Sequence, residues 1–180
     1  ERLDDMLTIN AKLRWAFLGI VLVVAFPFGA AALSYRVTQL GNLGGLATHA
    51  KEVNDLGQVS GWSITASNET HAYLYDGTTM VDLGSRFGGQ TTGEGINNHG
   101  QIVGNEIVLE GDAYKAFTFD GPALFGLPTL GGSHTELKAI NDMGQIAGAS
   151  TTASDAELHA FLLDGDIMHD LGTLGGNYSG

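Results

Sequence analysis

The sequence contains no cysteine in its 180 residues. That excludes disulfide staples, thiolate nucleophiles and cysteine metal sites. Proline occurs three times, and one of these, Pro27, lies in an apolar leader, so no proline-rich linker divides the chain. Charge is also scarce. Charged residues make up 16%, below the usual level of about a quarter, and the basic ones are fewest: eight Lys and Arg against twenty Asp and Glu, a net charge of −12. In the first 32 residues Glu1, Asp4 and Asp5 offset Arg2, Lys12 and Arg14, so the whole −12 falls on the remainder. An acidic surface repels phosphate backbones, and nucleic acid is not expected as a partner.

What is present begins with the leader. Lys12 and Arg14 precede an almost unbroken apolar run over residues 15–28, followed by Gly29, Ala30, Ala31 and Ala32. Ala30 and Ala32 fit a small-x-small cleavage site, the layout of a secretory signal peptide. Residues 1–34 therefore read as an upstream extension plus signal peptide, with Met6 as the start. The stretch 15–33 is 19 residues, long enough to span a bilayer, so an uncleaved N-terminal anchor is the rival reading. Pro27 and the small residues behind it favour cleavage. Both readings imply export, to the medium or the cell surface, with no membrane contact beyond this segment.

Glycine is abundant, 27 of 180, and its placement is periodic. LGNLGG at 40–45, LGSRFGG at 83–89, LPTLGG at 127–132 and LGTLGG at 171–176 end on Gly45, Gly89, Gly132 and Gly176, spaced 44, 43 and 44. VNDLGQVSG at 53–61, INNHGQIVG at 96–104 and INDMGQIAG at 140–148 place Asn54, Asn97 and Asn141 at intervals of 43 and 44. HAYLYDG at 71–77, KAFTFDG at 115–121 and HAFLLDG at 159–165 keep a spacing of 44. Three signatures on one period define repeats over about 46–89, 90–132 and 133–176, with a leading strand at 35–41.

Each repeat reads as four short strands. Asn54-Asp55, Asn97-Asn98 and Asn141-Asp142, each closed by a glycine, are hairpin turns, as are Asp76-Gly77, Asp120-Gly121 and Asp164-Gly165. Strand three is apolar on both faces, which places each sheet between neighbours. Gly61, Gly104 and Gly148 sit inside strand two and signal a close backbone approach, as crowding near a central axis would demand. The expected fold is all-β: four-stranded antiparallel blades, β-propeller-like, about three of them and incomplete, preceded by an N-terminal hydrophobic signal helix. A propeller closes with about four to eight blades, so the chain reads as part of a longer frame, with an apolar blade face at each end and a tendency to self-associate. Residues 35–40 align with strand four and are expected to complete the last blade of a closed ring.

Taken together, LGTLGG, INxxGQIVG and HAFLxDG resemble the extracellular His-Ala-Phe (HAF) repeat family over residues 35–180. The middle of the chain departs from the pattern: Lys115 replaces the histidine, Pro128 replaces a glycine, and Arg86-Phe87 lengthens one LGG element. The resemblance implies export and repetition. It carries over no activity and no ligand.

The chemistry-bearing residues read as structural. His71 and His159 share a repeat position, but Lys115 fills it in between, and an ammonium cannot bind a metal, so these histidines are expected to hydrogen-bond within their blades. His49, His99, His134 and His169 share no position and form no H-x-x-x-H pair. Asp76, Asp120 and Asp164 are turn residues, and the full calcium loop is missing. The glycine doublets precede no G-K-[ST] and no helix. Glu52, Glu94 and Glu136 occupy different repeat positions, so no ring of carboxylates forms. No catalytic, metal-binding or cofactor-binding residue is predicted. The variable connections between strands two and three, at 65–70, 106–113 and 151–157, fall on one rim while their flanks repeat. They make Ser67, Asn68, Glu69, Glu110, Asp112, Ser154, Asp155 and Glu157 the candidate ligand-binding residues. The expected function is an exported, non-catalytic module for an extracellular glycan or protein ligand, or an envelope scaffold. The alternative is a fragment of a secreted polysaccharide-active propeller enzyme.

Overall fold

The structure, a computed structural model, describes residues 36–108, 113–154, 157–176 and 178–179. The expected signal helix lies outside them. The chain divides into two units, Glu1–Thr38 and Gln39–Gly180. Of the first, only residues 36–38 are described, and they have no regular secondary structure. The second unit is all-β: β1 (Gly44–Val53), β2 (Val59–Thr65), β3 (Thr70–Tyr75), β4 (Met80–Gly84), β5 (Gln90–Ile96), β6 (Ile102–Val108), β7 (Ala113–Phe119), β8 (Leu124–Gly126), β9 (Gly131–Ile140), β10 (Ile146–Thr152), β11 (Leu158–Asp164) and β12 (Ile167–Gly172). They form three four-stranded sheets, β1–β4, β5–β8 and β9–β12, each an antiparallel meander in chain order. The blade-like, unclosed architecture read from the period is the one observed. The LGG doublets are not only connections: Gly44-Gly45 and Gly131-Gly132 open β1 and β9.

The Asn-x-x-Gly segments form the first hairpin of each sheet. Gly57, Gly100 and Gly144 have φ of 76°, 78° and 79°, a left-handed conformation costly for any side chain with a β-carbon. Their N–H groups donate to the carbonyls of Asn54, Asn97 and Asn141 at 3.0 Å. Each asparagine Oδ1 also accepts two backbone N–H groups of its own turn, at 2.9–3.1 Å. The turn is thus wrapped around its own carboxamide.

The strand-two glycines mark a close approach, but its source is within the sheet. A β-carbon at Gly61 would lie 2.0 Å from the His49 carbonyl oxygen and 3.0 Å from the Tyr73 ring. At Gly148 the neighbours are the Glu136 carbonyl at 2.3 Å and the Phe161 ring at 3.0 Å. The aromatic of strand three lies across the glycine, and the first strand is bulged beside it. Crowding at a central axis is therefore not the cause. Pairing jumps from Ala50–Gly61 to Glu52–Ser60, from Gly93–Gly104 to Gly95–Val103, and from Leu137–Gly148 to Ala139–Ala147. The extra residues are Lys51, Glu94 and Lys138.

The core sits between sheets. Val103 and Ala116 of the second sheet pack with Leu137, Ile146, Phe161 and Leu163 of the third. Asn105 bridges the same interface, accepting from Leu137 N–H at 2.7 Å and donating to its carbonyl at 3.1 Å. Between the first two sheets, buried Thr91 accepts from Ala72 N–H at 2.9 Å and donates to the Gly84 carbonyl at 2.7 Å. On the third sheet Ser179 makes the same pair of bonds to Ala160 and Gly172, at 2.8 and 2.6 Å. Across the other face of the first sheet, Leu40, Leu43 and Met80 cover Val59, Tyr73 and Tyr75. The expected leading strand is not a strand where it is described, since residues 36–42 have no regular structure. A strand exists by pairing; here Leu40 lies on an apolar sheet face, and the first pairing is the bridge of Leu43 to Thr65.

Candidate functional site

The bulges define one row of side chains. A bulge re-aims the extra residue and tends to sit beside functional sites. Here the same register position of each first strand carries Lys51, Glu94 and Lys138, with signs alternating from sheet to sheet. Lys51 Nζ lies 3.0 Å from Glu94 Oε2, and Thr92 Oγ1 donates to Glu94 Oε1 at 2.7 Å. The Lys138 ammonium is held above the usual lysine range, first by its hydrogen bond to Glu136 and further by the charges of Glu136 and Glu94. The three glutamates are not equivalent: Glu52 follows a bulge, Glu94 is one, and Glu136 precedes one.

Next to this row the three first hairpins stack. Asn54 Nδ2 donates to the Asn97 carbonyl at 2.9 Å, and Asn97 Nδ2 to the Asn141 carbonyl at 3.1 Å. The following position makes a second ladder. Asp55 N–H donates to Asn98 Oδ1, and Asn98 N–H to Asp142 Oδ1, both at 2.8 Å. Asn98 Nδ2 lies 2.9 Å from both Asp55 Oδ2 and Asp142 Oδ2. The Asn98 backbone N–H, then its side chain, hold the Asp142 carboxyl below the usual carboxylate range. Glu52 Oε2 accepts from Ile96 N–H at 3.1 Å. Together these residues line an open depression of about 290 Å³, whose wall also includes Val53 and Ile140. It offers carboxylate and amide groups from three repeats on one shallow surface. Among the described residues no group of three or more His, Asp or Glu side chains is placed to hold a metal.

The rim residues lie at the opposite ends of the strands, as alternating hairpins require. Ser67, Asn68 and Glu69 form a tight exposed turn. Asn68 has φ of 66° and donates its N–H to Thr65, while Thr65 N–H donates to Glu69. Ser67 Oγ contacts Thr65 Oγ1 at 2.9 Å and donates to Glu69 Oε2 at 2.7 Å. In the third sheet Ser154 is exposed, and Glu157 Oε2 lies 3.3 Å from His159 Nε2. Glu110, Asp112 and Asp155 lie outside the described residues.

His71 and His159 hydrogen-bond within their sheets. Their Nδ1 atoms lie 2.9 Å from Asp82 Oδ1 and 2.8 Å from Asp170 Oδ1. The His159 imidazole is raised, chiefly by the Asp170 hydrogen bond, and the Asp170 carboxyl is lowered, first by Gly172 N–H and then by His159. Two structural roles were not anticipated from the sequence. Ser63 and Ser150 accept the N–H of Leu43 and Leu130 at 3.1 and 3.0 Å, fastening the connection that enters each sheet. In the second sheet the same position is Glu106, which is buried. Its carboxylate accepts from the N–H groups of Arg86, Phe87 and Gly89 and from Ser85 Oγ, at 2.7–3.1 Å. A longer side chain thus reaches the longer connection. The clue was the coincidence of a lone acid with the lone insertion.

No protein-family model matches the chain, and no curated protein matches it. Among solved structures it is similar to a fucose lectin from Kordia zhangzhouensis in complex with methyl-fucoside, at 16% identity and a TM-score of 0.42, covering 74% of this chain and 100% of that one.

Proposed function

We propose that the chain is an exported, non-catalytic binding module of HAF type, built from propeller-like blades, and that it holds a hydroxyl-rich ligand, a glycan, in the depression formed by the stacked hairpins. The observation that carries this reading is the convergence of Glu52, Asp55, Asn98 and Asp142 on one open surface of about 290 Å³. Carboxylates and amides accept and donate hydrogen bonds to sugar hydroxyls with fixed direction. Here their orientation is set in advance by the ladder, which lowers the ordering cost of binding. Binding of the full chain to a glycan array tests it. The expected result is retention of a defined glycan, weakened by at least ~tenfold, or ~1.4 kcal/mol, in the Asp55→Ala/Asp142→Ala double variant and unchanged in Ser67→Ala/Glu157→Ala. The reverse pattern would move the ligand to the opposite rim, where sequence variation between repeats is concentrated. No retention of any glycan would refute the reading.

A further inference from the structure

Away from the depression, the middle sheet and the connection that enters it carry two departures from the repeat pattern, Lys115 and the inserted Arg86-Phe87. In the outer two sheets a histidine of strand three meets an aspartate of strand four, His71 with Asp82 and His159 with Asp170. The register puts Lys115 at the histidine position of the middle sheet and Gly126 at the aspartate position. The imidazole has become an ammonium, and its carboxylate has been removed. Glu106, the cross-strand neighbour of Lys115, spends its carboxylate on the connection 85–89. Among the described residues Lys115 has no ion-pair partner.

A cavity of about 50 Å³ is lined by Phe87, Tyr114, Lys115, Gly126, Leu127 and Thr129. A single water needs roughly 10–15 Å³ of such space, so the cavity has room for a carboxylate-sized group. The inserted pair stands at its edge. Arg86 Nη1 donates to the Leu124 carbonyl at 2.9 Å, its guanidinium lies 5.5 Å from the centre of the Phe87 ring, and its Nε lies 3.6 Å from where a β-carbon on Gly126 would be. One of its five N–H donors is thereby used. On a chain of net charge −12, two cations stand beside the position where the other sheets carry an aspartate.

We propose that this cavity binds the carboxylate of a small acidic sugar, of the uronic acid class. The ligand's carboxylate takes the place of the absent aspartate, with Lys115 and Arg86 as counter-charges and Phe87 and Tyr114 beside the ring. The test is an NMR titration of the full chain with D-glucuronate, and with D-glucose as the uncharged control. The expected result is saturable shifts of the Gly126 and Lys115 amides with glucuronate and none with glucose. Lys115→Met should weaken the response at least tenfold. Gly126→Asp has room for its β-carbon beside Arg86 and supplies Arg86 and Lys115 with an internal carboxylate, so it should abolish the response while the His159 and Asp170 signals stay in place. Lys115→His/Gly126→Asp, which rebuilds the arrangement of the other sheets, should be folded and unresponsive. Absence of saturable shifts at Gly126 with the unaltered chain, or undiminished shifts in Gly126→Asp, would overturn the assignment.

Discussion

At Gly104 a β-carbon would stand 2.3 Å from both the Phe117 ring and the Thr92 carbonyl oxygen. The first neighbour is a buried ring and the second is backbone at a bulge, so neither can move without cost. At Gly121 the nearest atom is 3.7 Å away, on Phe119. Gly104→Ala should therefore cost about 1–3 kcal/mol or more from overpacking, while Gly121→Ala should be near neutral. Urea midpoints of the two variants check this, and equal midpoints would refute it. The sequence already marks Gly104 by its recurrence at Gly61 and Gly148. It does not name the atoms responsible, because these come from a bulge on one neighbouring strand and a ring on the other, and pairing partners are not local information.

At the scale of the element, the hairpin is the unit that does two jobs. Asn97 closes its own turn through Oδ1 and reaches the next sheet through Nδ2. It is buried, whereas Asn141 is exposed. Among the described residues Asn141 makes only the bonds of its own turn and the acceptor end of the ladder. Both Asn97→Ala and Asn141→Ala strand two turn N–H groups, but only Asn97→Ala also loses an intersheet bond donated from a buried side chain, so it should cost about 0.5–1.5 kcal/mol more. Thermal melts of both variants measure the difference, and parity would argue against the ladder. The turns themselves were legible as Asn-x-x-Gly between apolar runs. The ladder was not, because an asparagine that only caps its turn and one that also spans to a neighbour are written with the same letter. The rim residues show the same limit: Ser67 and Glu69 read as free polar groups, yet they bond to each other.

For the molecule as a whole, stability in a stacked repeat is a sum of sheet and interface contributions. The middle sheet has an interface on each side, with Thr91 fastening it to the first sheet and Asn105 to the third. Amide exchange should therefore be slowest in β6 and β7 and faster in the corresponding strands β2–β3 and β10–β11. A uniform pattern across the three sheets, read by mass spectrometry, would contradict nearest-neighbour stacking. The period of 43–44 residues made the number and order of the sheets readable in advance. Which faces meet had to be seen, since strand three is apolar on both.

The bulge row carries a consequence for how such a chain can grow. Lys51, Glu94 and Lys138 alternate in sign, and Asp55, Asn98 and Asp142 alternate between carboxylate and amide. Copying a single sheet in tandem would set ammonium against ammonium, or carboxylate against carboxylate, across the new seam. Copying an adjacent pair would preserve the alternation. At each seam the row thus fits a pair of sheets repeated in tandem better than a single sheet repeated.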